Sequence, residues 1–241
     1  MYSIKKITLS LTLLVGFYSL LQAQSLPKEP STLSQKEQRM IAIASYAAQG
    51  ELNKLASAIE KGLDDGWSIS QIQEAIVHLY AYAGFPRSIR ALQTFMSVLE
   101  ERKAKGIYDV QGADATPIND QNSKYNRGKA ILQELTGVAE SDTKSGYAAF
   151  APIIEVFLKE HLFADIFERD ILNYAERELV TVSVLSSIGG VEPMLTSHLK
   201  ICLNIGFTPD QLMEFSDIIK ATAGKKKAAV TRAVLHDLLK K

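Results

Sequence analysis

The chain has 241 residues, of which 46% are hydrophobic and 22% charged, the composition of one or two globular domains. This excludes a disordered chain, a collagen-like fibre and a polytopic membrane protein. Lys and Arg number 27 against 27 Asp and Glu, so no basic excess points to nucleic acid, and a single cysteine excludes an internal disulfide, a CxxC redox pair and a thiolate zinc cluster.

The first residues read as a leader. Lys5 and Lys6 precede an apolar run from Ile7 to Leu21, and Leu21-Gln22-Ala23 offers a small residue before a cleavage point at Gln24. The run is short for a membrane-spanning helix, and no cysteine follows it to carry a lipid anchor. Residues 1–23 are therefore expected to be a signal peptide. The mature protein is expected to be exported to the periplasm, with no membrane segment after cleavage.

Beyond the leader, apolar residues recur at helical spacing and strand-like alternation is scarce. Ser34-Gln35-Lys36-Glu37 is a capping box, followed by Met40, Ile41, Ala44 and Ala47 on one face and a stop at Gly50. Leu52, Leu55, Ile59 and Leu63 form a second stripe, closed by Gly66. Ser68-Ile69-Ser70-Gln71 opens a third helix carrying Ile72, Ile76, Leu79 and Ala83 to Gly84. Pro86 begins a fourth, which runs to about Lys103. Gly106 to Ser123 is rich in Asp, Asn, Gly and Pro and reads as a linker. A helix through Leu135 ends at Gly137, and an apolar stretch from Tyr147 to Phe167 is expected to pack on the C-terminal part of the chain.

The pattern then repeats. Leu172 to Ile188 aligns with Leu33 to Gln49, placing Glu176 under Glu37. Gly189-Gly190 adds one residue, after which Leu195, Leu199 and Leu203 restate the second stripe. Ile205-Gly206-Phe207-Thr208 falls on Asp65-Gly66-Trp67-Ser68, and Gly224 falls on Gly84. A shared register of this length with one insertion indicates duplication. The expected organisation is a first repeat over 31–105, a linker over 106–124 and a second domain over 125–241.

Several segments of the second half resemble the carboxymuconolactone decarboxylase family. Arg127-Gly128 with Leu132-Gln133-Glu134-Leu135-Thr136-Gly137 looks like that family's opening helix. Phe150-Ala151-Pro152 followed by Leu162 to Arg169 looks like its "FGD…R" segment, and Arg177-Glu178-Leu179-Val180-Thr181 like its "REL(I/V)T" helix. His198 with Leu203-Asn204-Ile205-Gly206-Phe207-Thr208-Pro209 looks like its "H…LNNGVTPEE" block, and Tyr82-Ala83-Gly84-Phe85-Pro86 in the first repeat looks like "YAGVP". The resemblance implies an all-α fold of tandem alkylhydroperoxidase D-like helical repeats, and a homo-oligomer, either a trimer or a pseudo-hexamer. It implies either lyase-type acid/base chemistry on a small carboxylated or lactone substrate, or a peroxidase-like antioxidant activity.

The departures from the family are specific. Ala164 replaces a motif glycine, and Gly189-Gly190 lengthens the spacing from Glu178 to His198 by one. The peroxidases' CxxC positions fall near Val191 and Met194, so dithiol chemistry has no sulfur there. His198 and Glu178 are the candidate catalytic pair: decarboxylation of a β,γ-unsaturated lactone acid leaves an extended enolate, and a histidine beside a carboxylate can protonate it. The bland alternative is a packed histidine and a solvated helix start at Glu176-Arg177-Glu178. Arg169 is the candidate for holding a substrate carboxylate; its alternative is an ion pair with Glu168 or Asp170. Met194, His198 and Cys202 share a helix face, but Met and free Cys are ordinary core residues, and neither a metal nor a cofactor is expected. In the first repeat Arg39 stands at the position of Glu178 and Ala58 at that of His198, so the first copy is expected to be structural and the second to bear the site. Export weighs against the intracellular catabolic decarboxylase, and a non-catalytic oligomeric ligand-binding protein is the third reading.

Overall fold

The computed structural model describes residues 32–141 and 143–240, and among them there is no strand. The expected signal peptide lies outside the described residues. The first repeat comprises α1 (Gln35–Gln49), α2 (Leu52–Asp64) and α3 (Ile69–Ala104). Helix α3 has two limbs: Gly84, at φ 81° and ψ 160°, interrupts the helical backbone, and Pro86, which lacks an N–H, opens the second limb. The separate helix expected at Pro86 is thus present, joined to its predecessor without a loop.

No regular element occupies Ile107 to Ser123, and the segment is anchored where it begins. The amides of Ile69 and Ser70 donate to the carbonyls of Val110 and Gln111 at 2.9 and 2.8 Å. Then come α4 (Lys124–Thr136), the short helices α5 (Gly146–Phe150) and α6 (Pro152–Phe157), and a ten-residue π-helical segment, Leu158–Phe167. Gly128 of α4 lies so close to this segment that a Cβ there would sit 1.8 Å from the Lys159 carbonyl, so no side chain fits. The second repeat comprises α7 (Tyr174–Ile188), α8 (Glu192–Asn204), α9 (Pro209–Ala223) and α10 (Lys225–Leu239). Gly224 divides α9 from α10 with the same backbone as Gly84, φ 92° and ψ 166°.

The repeats interlock reciprocally. Capping boxes at Ser34 and Ser68 in the first copy have counterparts at Asn173 and Thr208 in the second. Helix α1 packs on α7; α1 also lies against α9, and α7 against α3, the exchange a pseudo-twofold axis demands. The same exchange holds for side chains. Arg177 Nη2 donates to Glu74 at 2.7 Å, and its sequence counterpart Gln38 donates to Glu214, the counterpart of Glu74, at 3.1 Å. Val180 and Val184 of α7 are buried in the first repeat's core, while Ile41 of α1 is buried in the second's. Each such residue contributes about 1.5–3 kcal/mol by its burial, so the copies stabilise one another.

A third apolar cluster joins Ile131 and Leu135 of α4 with Leu162, Phe163, Ile166 and Phe167 of the π-helical segment and Ile201 of α8. The expectation that all of Tyr147 to Phe167 packs inward is corrected here. The π-helical part does, but Tyr147, Phe150, Ile153, Ile154 and Phe157 of α5 and α6 face outward, Phe150 being 92% exposed. These two helices, of five and six residues, are too short to present a full apolar face to the core.

Candidate active site

Helix α7 carries Glu178 and α8 carries His198, and the turn between them brings the two side chains together. His198 Nδ1 and Glu178 Oε2 are 2.8 Å apart. Glu178 is fully buried and its Oε1 has no hydrogen-bond partner, whereas 13% of the His198 side chain is exposed. A carboxylate only accepts, so the proton of this bond sits on Nδ1. Among the described residues Nε2 has no hydrogen-bond partner, and Tyr82 of α3 meets the imidazole edge-on at a centroid distance of 5.7 Å. A helix start made of Glu176, Arg177 and Glu178 is thus not a solvated one: Glu176 completes the capping box at Asn173, and the two residues after it are buried.

The first repeat also places polar residues beside the candidate pair. Glu74, His78 and Tyr82 stand at four-residue steps on α3 and face α7. His78 is fully buried, with Nδ1 at 3.3 Å from Arg177 Nη1 and Nε2 at 2.8 Å from Thr181 Oγ1. An arginine only donates, so Nδ1 accepts and Nε2–H donates to the threonine. Burial, with the nearby charges of Arg177 and His198, holds the His78 pKa well below 6.5 and keeps the ring neutral. Phe167 covers it edge-on at 5.0 Å. The Tyr82 hydroxyl is buried without a hydrogen-bond partner, and burial together with the Glu178 carboxylate pushes its pKa far up. The first copy, expected to be structural, thus lies against the candidate pair where α3 crosses α7, with Tyr82 meeting His198.

Glu74 holds two arginines. Arg177 reaches it at 2.7 Å and also donates to the Arg169 carbonyl at 2.6 Å. Arg169 grips the same carboxylate through Nε at 2.9 and 3.1 Å and Nη2 at 3.0 Å. The planar fork expected to clamp a substrate carboxylate is therefore closed on Glu74. Nor is it bonded to Glu168, which pairs with Arg127, or to Asp170, which accepts from the Thr116 amide. Arg169 remains 40% exposed, and its Nη1 has no hydrogen bond among the described residues.

The matching crossing on the other side of the pseudo-twofold axis has no such chemistry. There the counterparts of Arg177, Thr181, His78 and Tyr82 are Gln38, Ala42, Ile218 and Thr222. Arg39, at the position of Glu178, pairs with Asp65 at 2.7 Å, and Ala58, at that of His198, is core. Cys202, one turn beyond His198, is fully buried, and burial followed by the Glu178 carboxylate pushes its thiol pKa well above 9.0. Two surface clefts form elsewhere, one of about 240 Å³ beside Gly189-Gly190 and one at Ala130, Gln133, Glu134 and Gly137; neither is lined by His198 or Glu178.

Reading the sequence for histidine spacing alone passed over His78, and with it Glu74, Tyr82, Arg177 and Thr181. The available signal was a second, polar stripe, Glu74-His78-Tyr82, beside the apolar stripe of Ile72, Ile76 and Leu79. Among curated proteins none matches the chain. The sequence model of the carboxymuconolactone decarboxylase family matches it over residues 17–95, which begins within the expected leader and covers most of the first repeat, and again over 156–237, within the second domain. With most of the sequence covered, the repeats in tandem and the fold all-helical, the chain belongs to the carboxymuconolactone decarboxylase family.

Proposed function

We propose that the protein carries out lyase-type acid/base chemistry on a small carboxylated or lactone substrate, with His198 as the proton-transfer group and Glu178 as its anchor. The observation that carries this reading is the 2.8 Å contact between a partly exposed imidazole and a fully buried carboxylate. In a decarboxylation the bond from carbon to the leaving carboxylate breaks, CO2 departs and the electron pair passes into an extended enolate. The imidazolium of His198 then delivers its Nε2 proton to carbon. Glu178 holds Nδ1–H throughout, which orients the ring and leaves Nε2 to face the substrate. Arg169 offers the substrate carboxylate one donor, Nη1, in place of a two-point clamp. No sulfur stands where the family's peroxidases have their dithiol, which weighs against the antioxidant reading.

On this reading the leader directs the activity to the periplasm, away from the intracellular catabolic decarboxylases. The outward apolar row of α5 and α6, from Tyr147 to Phe157, is the surface we assign to contact between copies in a homo-oligomer.

The test is a panel of β,γ-unsaturated lactone acids assayed for CO2 release. His198→Ala should lower turnover by about 100-fold or more while the helical circular dichroism is unchanged. Undiminished turnover in His198→Ala would overturn the assignment. Should the unaltered protein turn over none of the panel, the clefts' separation from His198 makes a non-catalytic ligand-binding protein the better reading.

A further inference from the structure

We propose that the cleft beside Gly189-Gly190 is a binding site for a small organic carboxylate, separate from the His198–Glu178 pair. Its walls come from the end of α7, the start of α8 and the start of α10. Leu185, Leu195 and Val230 supply apolar surface, Lys226 and Lys227 supply positive charge, and Ser186 supplies a hydroxyl. The cleft measures about 240 Å³.

Three independent features point to an anion with a hydrocarbon body. Ser186 is only 3% exposed, yet its Oγ has no hydrogen-bond partner, not even the carbonyl one turn earlier that a helical serine usually finds. Ser186 stands in the cleft wall, and its buried hydroxyl is a donor without an acceptor. The first-turn amides of α10 have no side-chain cap, so the positive end of that helix stands beside the two lysines. Lys227 Nζ donates to the Ile188 carbonyl at 2.6 Å, which fixes its charge at the cleft wall and leaves further N–H groups free. Glu192 opposes this charge, but its Oε1 is engaged by the Gly190 amide at 3.2 Å, and the two lysines outnumber it.

The first repeat differs from the second at this cleft. There a single glycine ends α1, and the Arg87 guanidinium fills the space, with Nη1 1.7 Å from where a Cβ on Gly50 would lie. In the second repeat Lys227 takes the place of Arg87 and covers Gly189 in the same way, while the inserted Gly190 beside it has no atom within 4 Å of its Cβ position, so the added room comes from the insertion. Lys226 replaces Pro86, restoring an amide and adding a charge. The run Lys225-Lys226-Lys227 and the glycine insertion, both unexplained by the acid/base site, thereby acquire one role.

The experiment uses benzoate and inorganic phosphate as probes, monitored by calorimetry and by amide chemical shifts. Benzoate should bind with a dissociation constant on the order of 1 mM and move the amides of Gly189, Gly190 and Val230. Lys226→Glu, at an exposed position that leaves the fold intact, should weaken it by about tenfold or more. Ser186→Leu should fill the cleft and abolish binding, and His198→Ala should leave it unchanged. Four outcomes overturn the proposal: no benzoate binding, binding indifferent to Lys226→Glu, phosphate binding as tightly as benzoate, or binding lost in His198→Ala.

Discussion

Arg177→Met tests the buried charge network that joins the two repeats. The side chain is fully buried, and its guanidinium donates to Glu74 at 2.7 Å and to the Arg169 carbonyl at 2.6 Å, with His78 Nδ1 at 3.3 Å. Methionine fills much of the volume but donates nothing. Removing one member of a buried ion pair costs about 3–5 kcal/mol, because the remaining charge stays desolvated. Here Glu74 keeps the three bonds from Arg169, which sets the expectation at the lower end, about 3 kcal/mol. With a urea slope of about 3 kcal/mol per molar, the unfolding midpoint should fall by about 1 M. Adding Glu74→Met removes the stranded carboxylate and frees Arg169 to hydrate, so the double variant should regain part of the loss. A single-variant loss under about 1 kcal/mol, or a double variant less stable than Arg177→Met alone, would refute the reasoning.

Three further outcomes are expected. The folded protein refuses a proton at His78 that the unfolded chain accepts near 6.5, so stability should fall as pH drops below 6.5 towards the depressed folded value. The slope reaches about 1.4 kcal/mol per pH unit; urea midpoints for His78→Gln should lack this component, and parallel curves for the two proteins would contradict it. Cys202 should react slowly with a thiol reagent at neutral pH, since labelling requires opening of the core; prompt labelling of the native protein would show that the thiol is accessible. Phe150→Glu should lower the mass measured by light scattering to that of a single chain if the outward row of α5 and α6 is the contact between copies, and an unaltered mass would place that contact elsewhere.

Local physical chemistry alone determines much of this protein. Capping residues, helical apolar spacing and glycine stops are interactions between near neighbours in the chain, so they are readable before folding. They define the helices from Ser34 to Gly84, the duplicate from Asn173 onward, and the division at Gly224. His198 and Glu178 were also legible, because their counterparts Ala58 and Arg39 differ in chemistry and because the surrounding motifs resemble those of a family. What only the tertiary structure decided depends on which faces meet across about 100 residues of chain. That crossing turned Arg169 toward Glu74 instead of toward solvent and buried Arg177 beside His78. It set Tyr82 against His198. The pseudo-twofold packing of α1 on α7 carries α3 of the first repeat onto the second repeat's candidate site, and no spacing within either copy encodes that meeting. Side-chain partners at such separations are chosen by the docking of whole helices, whose energy lies in the shared apolar cores, and the polar residues take the partners that docking presents.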